Sequence, residues 1–264
     1  MSLLAMSNLS TGYGKQTILQ NISFEIEAKE MVGVVGANGC GKTTLLKAAC
    51  NLLPYTGKCM VMGEQVSEMS SKKLSQICGY IPRQSGIAID ISVLNVVLMG
   101  FNPYLGLLQN PTGDMKKRAM EVLAQVGLQG KEEQNYMTLS EGQKQMCILA
   151  RSLVAEHQLL FLDEPESALD FRVRYQMMER LRNMVENTGC SVLVVLHDIS
   201  LALNYCDRIL LLKNGVLEDI VLPKTDTDSV LEEKLEKIYG QVSIQRCLTK
   251  KGQGQLVMLR EAEE

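Results

Sequence analysis

The chain has 264 residues, enough for one large domain, and its 27 Lys and Arg against 30 Asp and Glu leave a formal charge of −3. That balance speaks against a nucleic-acid binder, whose phosphate contacts call for a basic face. A hydrophobic share of 46% with 22% charged residues is that of an ordinary globular protein.

The eight cysteines stand singly from Cys40 to Cys247 with no C-x-x-C pair, so free thiols in a reducing cytosol are expected, not a disulfide framework or a zinc site. Met1–Leu9 is too short and lacks a basic leader for a secretory signal. No apolar run approaches the roughly 20 residues of a membrane helix. The chain is therefore expected to be cytosolic and to meet a membrane only through a partner.

In chain order, Ile18–Ile26 alternates, with Ile22, Phe24 and Ile26 on one side and Ser23, Glu25 and Glu27 on the other, which predicts a half-buried strand of an antiparallel sheet. Met31–Val35 is an apolar run of the buried-strand kind. It passes through a glycine-rich turn into a predicted helix, Lys42–Leu53, stopped before Pro54. A hairpin is expected around Met62-Gly63-Glu64. From about Ser85 to Glu156 strand character gives way to helical spacing in Val93–Met99, Met115–Val126 and Glu141–Leu153. Strands return at Gln158–Leu162, Ser191–Leu196 and Arg208–Leu212, with helices Phe171–Glu186 and Ile199–Tyr205 between them. This alternation implies a parallel sheet flanked by helices. After Lys224, a charged helix at Asp228–Ile238 and strands at Val242–Cys247 and Gln255–Leu259 are expected.

Gly36-Ala37-Asn38-Gly39-Cys40-Gly41-Lys42-Thr43 fits the phosphate-loop pattern G-x-x-x-x-G-K-[ST], between a strand and a helix as that pattern requires. Its glycines let backbone N–H groups curl around the β- and γ-phosphates, and the helix N-terminus adds partial positive charge. Lys42 supplies a mobile cation and Thr43 a hydroxyl for Mg²⁺; Thr44 completes the loop's set of nucleotide-binding candidates. Cys40 is read as a small residue tolerated in the loop, with a redox switch as the alternative. Farther on, four apolar residues of Leu159–Leu162 bury a strand, and Asp163 and Glu164 emerge at its carboxyl end, where α/β sheets place ligands. Asp163 is expected to hold Mg²⁺, and Glu164 to orient and polarise an attacking water. These two motifs specify an NTPase; no N-K-x-D sequence of the guanine-specific kind accompanies them.

Leu139-Ser140-Glu141-Gly142-Gln143 precedes the acidic strand by about one helix, and here the chain resembles the ABC ATPase family, whose signature is L-S-G-G-Q. Seven motifs follow the family's order from Tyr13 to His197. The resemblance implies that Tyr13 stacks on adenine, that Gln84 is the Q-loop glutamine touching Mg²⁺, that Ser167-Ala168-Leu169-Asp170 is the D-loop, and that His197 is the switch histidine sensing the γ-phosphate. It also implies a P-loop α/β core over residues 1–224 with an antiparallel β-subdomain and a helical subdomain inserted at about 85–156, followed by a short extension over 225–264. Two copies are then expected to bind two Mg-ATP head to tail, with Ser140, Gly142 and Gln143 of each capping the ATP of the other.

Val97–Gly106 and Leu196–Ala202 look like the ATPase subunits of bacterial importers for iron–siderophore, haem and cobalamin complexes. The implied partners are transmembrane permease subunits at the cytoplasmic face of the cell membrane and, indirectly, an extracytoplasmic substrate-binding protein. The alternative is a soluble ABC ATPase of a cytosolic assembly such as iron–sulfur cluster biogenesis. Two positions depart from the family: Glu141 replaces a signature glycine, and Glu166 replaces the threonine common after Asp-Glu-Pro. Glu141 sets a carboxylate near a polyanion. Slower or more Mg²⁺-dependent turnover than that of a Glu141→Gly variant is therefore expected across a Mg²⁺ titration, and equal rates would sink the idea.

Overall fold

The computed structural model describes residues 2–84, 86–106 and 108–260. Ser85, where the helical insert was expected to start, and residues 261–264 of the expected extension lie outside the described residues. The chain runs β1 (Leu4–Tyr13), β2 (Gln16–Ile26), β3 (Met31–Val35), α1 (Lys42–Ala49), β4 (Tyr55–Val61), β5 (Glu64–Gln65), α2 (Ser71–Ile77) and β6 (Cys78–Ile81). Three helices follow, α3 (Val93–Leu98), α4 (Gly113–Gln125) and α5 (Glu141–Leu153). Then come β7 (Leu159–Asp163), α6 (Phe171–Thr188), β8 (Ser191–Val195), α7 (Ile199–Tyr205), β9 (Arg208–Lys213), β10 (Val216–Val221), α8 (Asp228–Tyr239), β11 (Val242–Leu248) and β12 (Gly254–Arg260).

Two main sheets result. An antiparallel sheet has the order β2-β1-β4-β5, and a six-stranded sheet has the order β10-β9-β3-β8-β7-β6. The six strands are parallel except for β10, which returns antiparallel along β9. The central strands are apolar on both faces because both are covered. Val32, Val34, Phe161, Leu193 and Val195 face α1 and the antiparallel sheet. Their neighbours Met31, Val35, Leu160, Leu162, Val192 and Val194 face α3 to α8. The helical segment therefore shares one continuous core with the sheet. The C-terminal hairpin β11–β12 is also docked: Asn204 on α7 exchanges two hydrogen bonds of 2.9 Å with the main chain of Leu256.

Several boundaries differ from the sequence reading. The helix expected over Lys42–Leu53 ends at Ala49, because Asn51 takes a left-handed conformation (φ 56°). The N–H groups of Asn51 and Leu52 then close back on the carbonyls of Ala48 and Lys47, the Schellman arrangement that stops a helix before Pro54 is reached. β1 escapes an alternation search because its pairing register shifts between Met6 and Leu9 and again before Gly12. α2 runs into β6 with no Gly or Pro between them. β10 is an edge strand whose apolar residues are interrupted by Glu218-Asp219, where its register shifts, although the Asn214-Gly215 turn before it, with φ of 48° and 80°, is a strong hairpin signal.

The helical segment is fastened at Gly100, in the 3₁₀ turn Met99–Tyr104 that follows α3. A Cβ there would stand 2.0 Å from the carbonyl oxygen of Arg151 and 2.6 Å from Val154 Cγ2. Gly100→Ala is expected to destabilise the chain by about 1–3 kcal/mol, read as a lowered midpoint in urea unfolding. An unchanged midpoint would show that the two helices do not approach this closely.

Candidate active site

The site begins where β3 leaves the sheet. Gly36 (φ 155°) passes so close to β9 that a Cβ would lie 2.1 Å from the carbonyl oxygen of Leu212, so only glycine lets the loop start there. Cys40 is buried; burial raises its thiol pKa, with Lys42 pulling the other way. A protonated, enclosed thiol is an inert packing group, in keeping with the reading of Cys40 as a tolerated small residue. No side chain caps the N-terminus of α1, which follows Gly41, so its partial positive charge is turned to the cleft. Lys42 is 6% exposed and folds back over the loop, its Nζ donating to the carbonyls of Gly36 (2.8 Å) and Ala37 (3.1 Å). Thr44 is buried beside it and also lines the cleft.

A cavity of about 380 Å³ opens over this loop, with Asn38, Gly39, Thr43 and Tyr13 among its walls. Tyr13, at the end of β1, is half exposed, and the Lys47 ammonium lies 5.9 Å from its ring centroid. On the far wall stand Arg83, Glu164 and His197. Thr43 Oγ1 donates to Asp163 Oδ1 at 2.9 Å, which ties the phosphate loop to the end of β7. Burial raises the Asp163 pKa, the bond from Thr43 lowers it, and Glu164 beside it raises it again; the net direction is up. A desolvated carboxylate of this kind, joined to a hydroxyl, is suited to a small divalent cation. No group of three or more His, Cys, Asp or Glu forms a metal cage among the described residues. Two protein oxygens match Mg²⁺, which keeps most of its waters and takes phosphate oxygens as further ligands.

Glu164 is held in a left-handed conformation (φ 50°) that an ordinary side chain rarely adopts. Its side chain is 8% exposed, and both carboxylate oxygens are engaged. His197 Nε2 lies 2.6 Å from Oε1. Arg83 Nη1 lies 2.9 Å from Oε2, in an ion pair without hydrogen-bond alignment. The Glu166 carboxyl is buried next to this pair, and its Oε1 accepts the main-chain N–H of His197 at 2.8 Å while Oε2 has no hydrogen-bond partner. Burial raises the Glu166 pKa against the lowering effect of that bond.

The remaining candidates lie elsewhere. Ser140 caps α5 in a reciprocal box: its hydroxyl oxygen accepts from the Gln143 N–H, and Gln143 Oε1 accepts from the Ser140 N–H. The Ser140 O–H itself is left to donate. Gly142 packs against Leu169, and Asp170 caps α6 by accepting from the Val173 N–H at 2.9 Å. Glu141 is paired with Lys144 at 2.8 Å, so a cation offsets part of the repulsion expected from it; Glu141 is exposed, which keeps the effect small. Gln84, expected at the metal, lines a second cleft with Glu141, Lys144 and Ser167. Its neighbour Arg83 borders both clefts and is the one that reaches the carboxylate, a placement that sequence spacing did not disclose.

A model of the family described as ABC transporter matches residues 19–167. The chain belongs to this family. It is 32% identical over 238 residues to "Hemin import ATP-binding protein HmuV" of Vibrio cholerae, covering 88% of this chain and 89% of that protein. It is 33% identical over 244 residues to "Probable iron chelatin transport ATP-binding protein" of Helicobacter pylori, covering 90% and 96%. Its fold matches a metal-chelate type ABC transporter in an inward-facing conformation with a TM-score of 0.83 over 99% of each chain, at 24% identity. It also matches the dimeric ATP-binding cassette MJ0796 bound to ADP and phosphate, with a TM-score of 0.74 over 83% of this chain and 98% of that one, at 27% identity. This ABC chain is thus an ATPase subunit of a transporter. Among its described residues no helix is long and apolar enough to cross a membrane.

Because Glu166 holds the main chain of His197, Glu166→Ala is expected to lower kcat about tenfold, the equivalent of about 1.4 kcal/mol, with KM for ATP little changed. Glu166→Gln keeps an acceptor oxygen and should recover most of the rate. A Gln variant as slow as the Ala variant would contradict the role given to that hydrogen bond.

Proposed function

We propose that two copies of this chain bind two Mg-ATP between them and drive a permease that imports a haem- or iron-chelate-type cargo. The observation that carries the dimer is a division within one chain. The phosphate loop, Glu164 and His197 share one cleft, with Asp163 tied to it through Thr43, while Glu141, in the signature, opens on another. A phosphate held by Lys42 therefore has an incomplete wall, which the uncommitted Ser140 O–H and the α5 N-terminus of a second copy complete head to tail. The cargo class is supported by the names of the Vibrio and Helicobacter relatives.

In this reading, Lys42 and the N–H groups opening α1 bind the β- and γ-phosphates, and Tyr13 stacks on the base. Thr43 and Asp163 hold Mg²⁺, which neutralises charge on the phosphate oxygens. Glu164 orients the attacking water and takes its proton, and His197 fixes that carboxylate at Oε1. The partners are transmembrane subunits at the cytoplasmic face of the membrane, fed by an extracytoplasmic substrate-binding protein.

Glu164→Gln is expected to retain ATP binding and lose steady-state hydrolysis; substantial turnover by that variant would contradict the role of Glu164. The tagged chain, recovered from detergent-solubilised membranes of its host, should bring a polytopic membrane protein in equal amount. Recovery with soluble scaffold proteins alone would move the function to a cytosolic assembly.

A further inference from the structure

A general base needs an oxygen that water can reach, and in Glu164 Oε1 is taken by His197 while Oε2, beside Arg83, is buried and makes no hydrogen bond. His197 occupies Oε1 at 2.6 Å and Arg83 occupies Oε2 at 2.9 Å. This is a resting arrangement, and Oε2 must be uncovered before water can reach it. His197 is fixed from behind by Glu166, through its main-chain N–H. Arg83 is not fixed in that way. Its side chain is 59% exposed, it follows Pro82 at the end of β6, and among the described residues no helix or strand is formed between β6 and α3. Its ion pair with Glu164 lacks hydrogen-bond alignment, so it is held mainly by charge. A triphosphate entering the cleft that Arg83 borders brings more negative charge than one carboxylate. Its terminal oxygens also suit the planar guanidinium fork.

Resting on the ATPase reading above, we propose that Arg83 is a positioning residue that changes partners: it holds Glu164 in the nucleotide-free chain and moves to the γ-phosphate when ATP binds. The exchange frees Oε2 for water while His197 keeps Oε1. The base is thereby withheld until a triphosphate is present. Gln84, the next residue, lines the neighbouring cleft with Glu141 and Lys144, so the same movement reaches the surface that bears the signature helix.

The test is a double-mutant cycle on binding. Affinity for a non-hydrolysable β,γ-imido analogue of ATP, with Mg²⁺, is measured by calorimetry for the parent, Glu164→Gln, Arg83→Gln and the double variant. If Arg83 must leave Glu164 to reach the γ-phosphate, removing the carboxylate charge liberates it. Glu164→Gln should then tighten analogue binding about tenfold with Arg83 present and less than about twofold in the Arg83→Gln background. ADP, which lacks the γ-phosphate, should show little difference between backgrounds, and Arg83→Lys should keep part of the coupling. If Arg83 stays on Glu164 throughout, its loss exposes the carboxylate to the phosphates. Glu164→Gln then helps equally or more in the Arg83→Gln background, and that result overturns the proposal. Failure of the parent to bind the analogue would instead remove the ATPase reading on which it rests. Because Arg83 is largely exposed, unchanged thermal unfolding of its variants is expected to accompany the cycle.

Discussion

Three parallel strands end at one level, and the active site exists because they do. Val34 of β3 and Asp163 of β7 both pair with Val195 of β8, so the three chains leave the sheet at the same edge. The ladder continues one step past the strands: Leu196 N–H donates to the Val34 carbonyl and Glu164 N–H to that of Val195. A slip of one residue along β7 would turn Asp163 to the other face and separate it from Thr43. The register is secured by burial on both faces, with alternate apolar residues committed to opposite layers.

At that edge the chain accepts local costs that the surrounding structure holds in place. Glu164 is left-handed, and two buried carboxyls, Asp163 and Glu166, have raised pKa values because burial disfavours their charge. Raised carboxyl pKa values mean that these groups bind protons more readily folded than unfolded, so they detract from stability above the unfolded carboxylate range. Such a concentration of strain and desolvated acid in a cleft marks function more than packing. The unusual Glu166 fits this picture as a bracket for the backbone of His197, and the unusual Glu141 is locally compensated by Lys144.

Much of this was legible in the sequence, for identifiable reasons. The phosphate loop and the acidic strand end are contiguous motifs whose chemistry depends on spacing along the chain, and Thr43 and Asp163 do meet. Strands buried on both faces read as unbroken apolar runs. What escaped detection depends on contacts distant in sequence or on local irregularity. β1 is broken by register shifts, β10 is an edge strand interrupted at Glu218-Asp219, and α1 is ended by a left-handed Asn51 and not by the later Pro54. Arg83 and Gln84 are adjacent, yet Arg83 meets Glu164 while Gln84 lines the neighbouring cleft, and no periodicity in the sequence carries that information.

In the proposed mechanism one chain holds two half-sites, which only a second copy joins. Sedimentation velocity of the Glu164→Gln chain, with and without Mg-ATP, reads that joining. A monomer is expected without nucleotide, a dimer with Mg-ATP, and loss of that dimer when Ser140 is also replaced by a bulky residue such as Tyr. A chain that binds Mg-ATP yet sediments as a monomer at every concentration would contradict it.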